Sequence, residues 1–366
     1  KKLDLSSNLF NNSILGVGGG IPNLKYLNVA TNKLKGSINV EELEGLQNLE
    51  ELDFSYTELH DFVASKELNL SSNVEETSMV VSRFTQNILQ SIGALTSLKS
   101  LILSNSSLTG PLPPKGWCGL RKLEELDLSG NALDGSIPSC FRNLTSLGLL
   151  DISSNRIEVA SSFKSFANNS NLEALLIDQN ILVSDPSFEP QTLNPEFQLK
   201  LLSMSNCGAK GLPNFLHYQT DLRYLDLSHN NLGGQNPSWL LQNNTRLQQF
   251  LMQGNSFKGP LQLPKHVNVN MFQDDMSGNK MQGQIPMNIG SMFPHLQILN
   301  LSRNVFEGNV PPCLGGLKSL FSLDLSYNNF SGGILEELAK SGSLLTLRLS
   351  SNNFEWENTT YNVYLR

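Results

Sequence analysis

Apolar and polar positions in this chain recur in one frame, Leu-x-x-Leu-x-Leu-x-x-Asn, mostly every 24 or 25 residues. The frame closes at Asn8, Asn32, Asn131, Asn155, Asn180, Asn230, Asn255, Asn279, Asn304, Asn328 and Asn352. Thr57, Ser106 and Cys207 stand at the same phase, so fourteen frames align. Between Leu123 and Pro138, Leu126 and Leu128 alternate with Asp127 and Ser129, the period-two pattern of a short strand with one buried face. Glu125, Asp127, Ser129 and Gly130 face outward on this reading. A single unit cannot bury Leu123, Leu126, Leu128, Leu133 and Ile137 by itself. Successive units must therefore stack, with their strands aligned as a parallel sheet.

Asn131 follows the strand where the chain turns, and an inward carboxamide there bonds free backbone groups of its own and the adjacent coil. Repeated, this makes a ladder, and cutting one rung should cost roughly 1–3 kcal/mol. Thr57, Ser106 and Cys207 should be weaker rungs. After the rung, several coils read x-Leu/Phe-x-Gly-x-Ile/Val-Pro, as at 134–138, 282–286 and 307–311. Glycine and proline there suit an extended turn rather than a helix. Period and offsets together are the signature of leucine-rich repeats. The fold class expected is an α/β leucine-rich-repeat solenoid, a curved horseshoe or superhelix. Its concave face is a parallel β-sheet and its convex side carries short 3-10 or extended segments.

The expected organisation is one array over residues 1–354, of about 14–15 repeats, with a tail at 355–366 outside the pattern. Residues 58–97 break the period: Thr57 and Ser106 are 49 apart, the length of two coils, yet the frame at Leu68–Asn73 closes only 16 residues after Thr57. Either Asn73 belongs to a bulged coil, or residues 60–97 carry an excursion with a helix-like stretch near Phe84–Ile92; a gene-model error would look the same. Pro186, Pro190 and Pro195 mark a surface loop at 183–198. Asp274 stands where a leucine belongs, which predicts an irregular coil or a shortened strand.

The chain resembles the extracellular leucine-rich-repeat regions of plant receptor-like proteins and receptor kinases. The carriers are Leu-Asp-Leu-Ser-x-Asn at 126–131, 225–230 and 323–328, Gly-x-Ile-Pro at 135–138 and 283–286, and the phrases at 139–147 and 201–207. The phrase ending in Cys207 favours receptor-like proteins, which lack a kinase. The resemblance implies an ectodomain fragment at the extracellular face of the plasma membrane. It would perceive peptide or protein signals in defence or development and signal through a partner receptor kinase. Two alternatives are a soluble inhibitor of a secreted cell-wall-degrading enzyme, similar to polygalacturonase inhibitors, and a truncated nonfunctional copy. The inhibitors have cysteine-paired caps and fewer coils, whereas no such caps are visible here.

Composition narrows the partners. A net charge of −7 over 366 residues gives no basic stripe, so nucleic acid is not expected. No apolar run reaches 18 residues. Membrane attachment would need a transmembrane segment absent from this chain, and no signal peptide precedes Lys1. Cys118, Cys140, Cys207 and Cys313 have no metal-ligand spacing. Cys118 and Cys140 lie in adjacent coils, as two buried thiols or a disulfide. His60, His217, His229, His266 and His295 are isolated, and no nucleophile elbow or phosphate loop occurs. The aspartates at 4, 53, 127, 151, 226, 275 and 324 belong to the repeat's own wording and read as scaffold hydrogen-bonding along the sheet. No enzyme activity, cofactor or metal is expected.

Recognition is expected on the concave face, where outward positions depart from Asp and Ser toward apolar, aromatic or arginine side chains, the types that anchor interfaces. These are Leu176, Tyr224, His229, Leu251, Ile298, Arg303, Phe321, Tyr327 and Arg348, thickening from residue 224 onward. Candidate glycosylation sites are Asn143, Asn168, Asn243 and Asn329; the first three lie four residues before the first leucine of a frame, on one exposed edge. Asn105 and Asn300 are also sequons, but a glycan on either would cover the strand face.

Overall fold

The computed structural model describes residues 1–21, 23–39, 46–63, 95–112, 117–185, 195–333, 338 and 341–355. These fall into two compact units, 1–199 and 200–366. The stretches at Leu68–Asn73 and Phe84–Ile92 lie outside the described residues, as do 186–194 of the proline-rich loop and most of the tail.

The first unit stacks seven three-residue strands: β1 (Lys2–Asp4), β2 (Tyr26–Asn28), β3 (Glu51–Asp53), β4 (Ser100–Ile102), β5 (Glu125–Asp127), β6 (Leu149–Asp151) and β7 (Ala174–Leu176). They pair in parallel and in chain order. The middle residues Leu27, Leu52, Leu101, Leu126, Leu150 and Leu175 are in register and buried. One column of leucines, repeated at the strand spacing of about 4.8 Å, is thus the spine of the core.

The second unit repeats this with β8 (Leu201–Ser203), β9 (Tyr224–Asp226), β10 (Gln249–Leu251), β11 (Gln273–Asp275), β12 (Ile298–Asn300), β13 (Ser322–Asp324) and β14 (Thr346–Arg348), again parallel and consecutive. Here a smaller parallel sheet follows the rungs, running from Gly233–Gln235 through Ser256–Gly259, Lys280–Gly283, Val305–Gly308 and Asn329–Gly332 to Asn353–Phe354. Its inward side stacks Phe306 on Phe330 and Phe330 on Phe354, with ring centroids 6.2 and 6.4 Å apart. Each unit is a leucine-rich-repeat solenoid whose return segments are short. Ser139–Asn143, Asn214–Tyr218 and Pro312–Leu314 are 3-10 turns, and Ser238–Asn243 is a six-residue α-helix. Pro138, Pro213, Pro237 and Pro311 sit immediately before them, where a fixed φ and a missing donor end the extended segment without harming the helix.

One feature decides between two sequence alternatives and another departs from expectation. First, β3 and β4 are direct neighbours, Leu52 against Leu101, and Ser106 Oγ donates to Phe54 O at 3.0 Å. The 49-residue step from Thr57 to Ser106 is therefore one rung of the sheet carrying extra chain, and no coil stands between them in the strand ladder. Second, the coil with Asp274 is neither irregular nor short: β11 has three residues like the others, paired on both sides. Strand pairing uses only backbone groups, so the carboxyl does not break it. Asp274 is 1% exposed, between Phe250 and Leu299. Its pKa is pushed up to about 8, first by burial and then by the charge of Asp275.

Candidate functional site

The rungs fix the strand ends from which any surface is built. Asn131 Nδ2 donates to Leu103 O of the preceding coil (2.8 Å) and to Leu128 O and Ser129 O of its own (2.9 and 3.2 Å). Its Oδ1 accepts from Ser106 N and Leu108 N at 3.0 and 2.9 Å. Asn32, Asn155, Asn180, Asn230, Asn255, Asn279, Asn304, Asn328 and Asn352 reach back to the preceding coil in the same way. Asn8, in the first coil, bonds Leu5 O and Ser6 O of its own turn. Thr57 Oγ1 donates to Phe54 O in its own coil, and Cys207 Sγ lies 3.4 Å from Ser205 O. Cys140 is buried; the Cys118 side chain lies outside the described residues, so the pairing of these two does as well.

The aspartate column is wired differently from the sequence expectation. Asp127 Oδ1 accepts from Ser129 N and Ser129 Oγ at 2.9 and 2.6 Å, closing a turn within one coil, and Asp53, Asp151, Asp275 and Asp324 repeat this with the serine two residues on. Two of the column also bond along the sheet as expected: Asn300 Nδ2 donates to Asp275 Oδ2 at 2.9 Å and Arg348 to Asp324 Oδ2 at 3.4 Å. Burial raises the pKa of Asp151 against the pull of its serine.

The residue just before each rung is left-handed in every coil. Ser7, Thr31, Tyr56, Asn105, Ser154, Gln179, Asn206, His229, Arg303, Tyr327 and Ser351 have φ between 51° and 58°, with Gly130, Gly254 and Gly278 at 63–67°. Sequence reasoning treated His229, Arg303 and Tyr327 as outward strand positions; they instead form one column beyond the strand ends. Non-glycine residues adopt this conformation only when the surrounding structure holds it, and here the flanking rung bonds do so. The column was legible as the residue preceding each asparagine, but its conformation was not.

In the second unit this column supplies three of the candidate residues, His229, Arg303 and Tyr327. The Arg303 guanidinium lies over the Tyr327 ring, 4.6 Å from its centroid, and Tyr327 is 50% exposed. Arg303 makes no ion pair among the described residues, whereas Arg348 reaches Asp324 at 3.4 Å. The exposed His229 ring leans over Gly254, where a Cβ would fall 2.5 Å from its Nδ1. The His229 ring fills the space a side chain would take at Gly254, so Gly278 is the bare position of the column between His229 and Arg303. Three coil steps separate those two residues, about 14 Å at ordinary strand spacing.

Tyr224 and Ile298 open β9 and β12, half-buried and facing outward, and Phe321 is exposed just before β13. Between them Gln249 Nε2 donates to Gln273 Oε1 at 2.7 Å, an uncharged amide floor that the sequence reading missed. Leu251 is a correction: it lies in register between Asp226 and Asp275 and is only 9% exposed, because neighbours one strand spacing away close over it. It offers little contact area. Leu176 ends β7 of the first unit, half-buried. Of the sequons, Asn143, Asn243 and Asn329 are exposed, Asn168 is partly buried, and Asn300 is engaged with Asp275. Among the described residues no three metal-ligating side chains converge, and no helix is long and apolar enough to cross a membrane.

Comparison with known proteins agrees with this geometry. Family models described as leucine rich repeat match residues 86–133, 221–243, 295–317 and 319–341. Cuscuta receptor 1 of Solanum lycopersicum is 34% identical over 82% of this chain and 34% of its own length. Receptor-like protein 13 of Arabidopsis thaliana is 36% identical over 87% of this chain and 38% of its own. The solved structure of PEPR1-AtPEP1 superposes with a TM-score of 0.61 at 26% identity, over 95% of this chain and 40% of that one. Fold and rungs together define a leucine-rich-repeat protein. Within that class, the chain belongs to the receptor-like proteins of plants. It spans about a third of the length of these curated relatives, 34% and 38%.

Proposed function

We propose that this chain is a non-catalytic, extracellular recognition module, and that it holds an extended peptide or protein segment against the strand face of its second unit. The observation that carries the reading is the Arg303–Tyr327 pair beside the bare Gly278 position. An arginine stacked on an aromatic ring and not yet ion-paired offers oriented donors at little further entropic cost. Gly278 lets a main chain approach closely, and the Gln249–Gln273 amides can donate to and accept from peptide groups. The names of the relatives, receptors and receptor-like proteins, support the same reading. The signal would pass to a partner receptor kinase at the plasma membrane, with the membrane span supplied outside these residues.

The test uses peptides selected from a displayed random library on the 366-residue chain. Tyr224→Ala combined with Tyr327→Ala should weaken their binding by at least about ten-fold, the scale of losing interface anchors, with the melting transition unchanged. Equal affinity in the double variant overturns the choice of face.

A further inference from the structure

We propose that Asn243 carries an N-linked glycan whose first N-acetylglucosamine packs on the ring pair His217–Trp239, making the sugar a working part of the second unit's return side. This inference rests on the extracellular reading above, because only a secreted chain meets the transferase.

The helix Ser238–Asn243 places Trp239 and Asn243 four residues apart, hence on the same side. Helical side chains lean toward the N-terminus, so Asn243 leans back over the turn that holds Trp239. Trp239 stacks on His217 of the preceding coil, with centroids 4.0 Å apart and planes 18° from parallel. The rings therefore form a platform held by two coils, with the indole only partly covered and both Asn243 and Thr245 exposed.

The middle residue of the sequon is anchored: Asn244 Oδ1 accepts from Leu222 N at 2.9 Å, and its Nδ2 donates to Leu240 O at 3.0 Å. The helix end cannot swing away from the platform without breaking these bonds. A pyranose presents an apolar C–H face, and such faces pack on aromatic rings.

The modification balances as an ordinary transfer. Asn243 Nδ2 bonds the anomeric carbon of an oligosaccharide carried on a polyprenyl pyrophosphate; the lipid pyrophosphate leaves with the electron pair and the amide gives up one proton.

Controls are built into the chain. Asn143 and Asn168 share the phase of Asn243, but the residues four before them are Ser139 and Lys164, which carry no ring. The experiment secretes the 366-residue chain from cells that leave oligomannose glycans, maps occupancy by glycopeptide mass spectrometry, and follows release by endoglycosidase H under native conditions. The glycan at Asn243 should come off roughly five-fold more slowly than that at Asn143, the protection expected of one sugar–ring contact. Trp239→Ala should bring the two rates together and Trp239→Phe should keep them apart. The Asn143 rate reports on folding within the same molecule. A bare Asn243 beside an occupied Asn143, or equal rates in the unaltered chain, overturns this inference alone. A secreted chain with no sequon occupied overturns it together with the extracellular reading.

Discussion

Leu126 and Asp274 occupy the same place in two coils, one in each unit, and their surroundings differ at almost every apolar position. The coil of Leu126 buries Leu123, Leu128, Leu133 and Ile137; the coil of Asp274 buries Met271, Met276, Met281 and Ile285. Both strands are three residues long and paired on both sides, and both rungs reach the preceding coil, Asn131 to Leu103 O and Asn279 to Met252 O. Geometry is thus set by the backbone ladder and the rung, while the side chain at the centre of the strand sets only the energy. Methionine is the natural lining for such a place, because its flexible thioether fills irregular space.

The largest effect expected from this contrast is at Asp274. Its carboxyl titrates near 3.8 when unfolded and about 8 in place, so the folded chain holds a proton that the unfolded chain releases. The stabilisation is fully present below pH 3.8 and is lost as pH rises toward 8. By pH 7 the loss is on the order of 4 kcal/mol. Asp274→Leu should therefore raise the melting temperature at pH 7 and remove most of the pH dependence between 4 and 8, leaving the smaller contribution of Asp151. Thermal melts of the two proteins across that range check it; an unchanged slope in the leucine variant would mean that another group carries the titration.

The rungs come next, at roughly 1–3 kcal/mol each. Asn131→Ala removes five bonds and Asn279→Ala four, so if the two coils are equally well formed the cost at Asn131 should be larger by only about one hydrogen bond, roughly 1 kcal/mol. Denaturant titration with hydrogen exchange on each coil would show this. A much smaller cost at Asn279 would reveal that Asp274 had already loosened its coil.

How far the sequence could be read follows from the same contrast. The strands of the main ladder fall at the repeat frame, and the rung asparagines from Asn32 to Asn352 bond the preceding coil as well as their own, because period and polarity dictate both. The regularity of β11 was not legible: a polar residue at a leucine position argues for a break, yet a protonated carboxyl can be buried in a strand whose bonds it does not touch. The adjacency of β3 and β4 across 49 residues from Thr57 to Ser106 was one of two alternatives the sequence left open, since length counts residues and not rungs. At the candidate surface, residue types pointed to Arg303, Tyr327 and Phe321. The left-handed column, the seating of the His229 ring over Gly254 and the burial of Leu251 depend on backbone conformation and neighbours that no single frame contains.

The smallest effect concerns a second polar misfit in the second unit, and it separates charge from mere polarity. Six residues after the rung, the compared coils place Ile137 and Ile285, while the coil of Asn230 places Asn236 there, 8% exposed. Both its Nδ2 and Oδ1 lack a hydrogen-bond partner among the described residues. Leaving an amide unpaired costs roughly 1–3 kcal/mol, less than the ionisation that Asp274 resists, because a carboxamide has no proton to lose in this range. Asn236→Ile should accordingly raise stability by about 1 kcal/mol, once the better packing of the aliphatic chain is set against lost flexibility, and by the same amount at pH 5 and pH 8. A loss of stability instead would show that the carboxamide holds a bound water, and a gain that grew with pH would tie Asn236 to the titration assigned to Asp274.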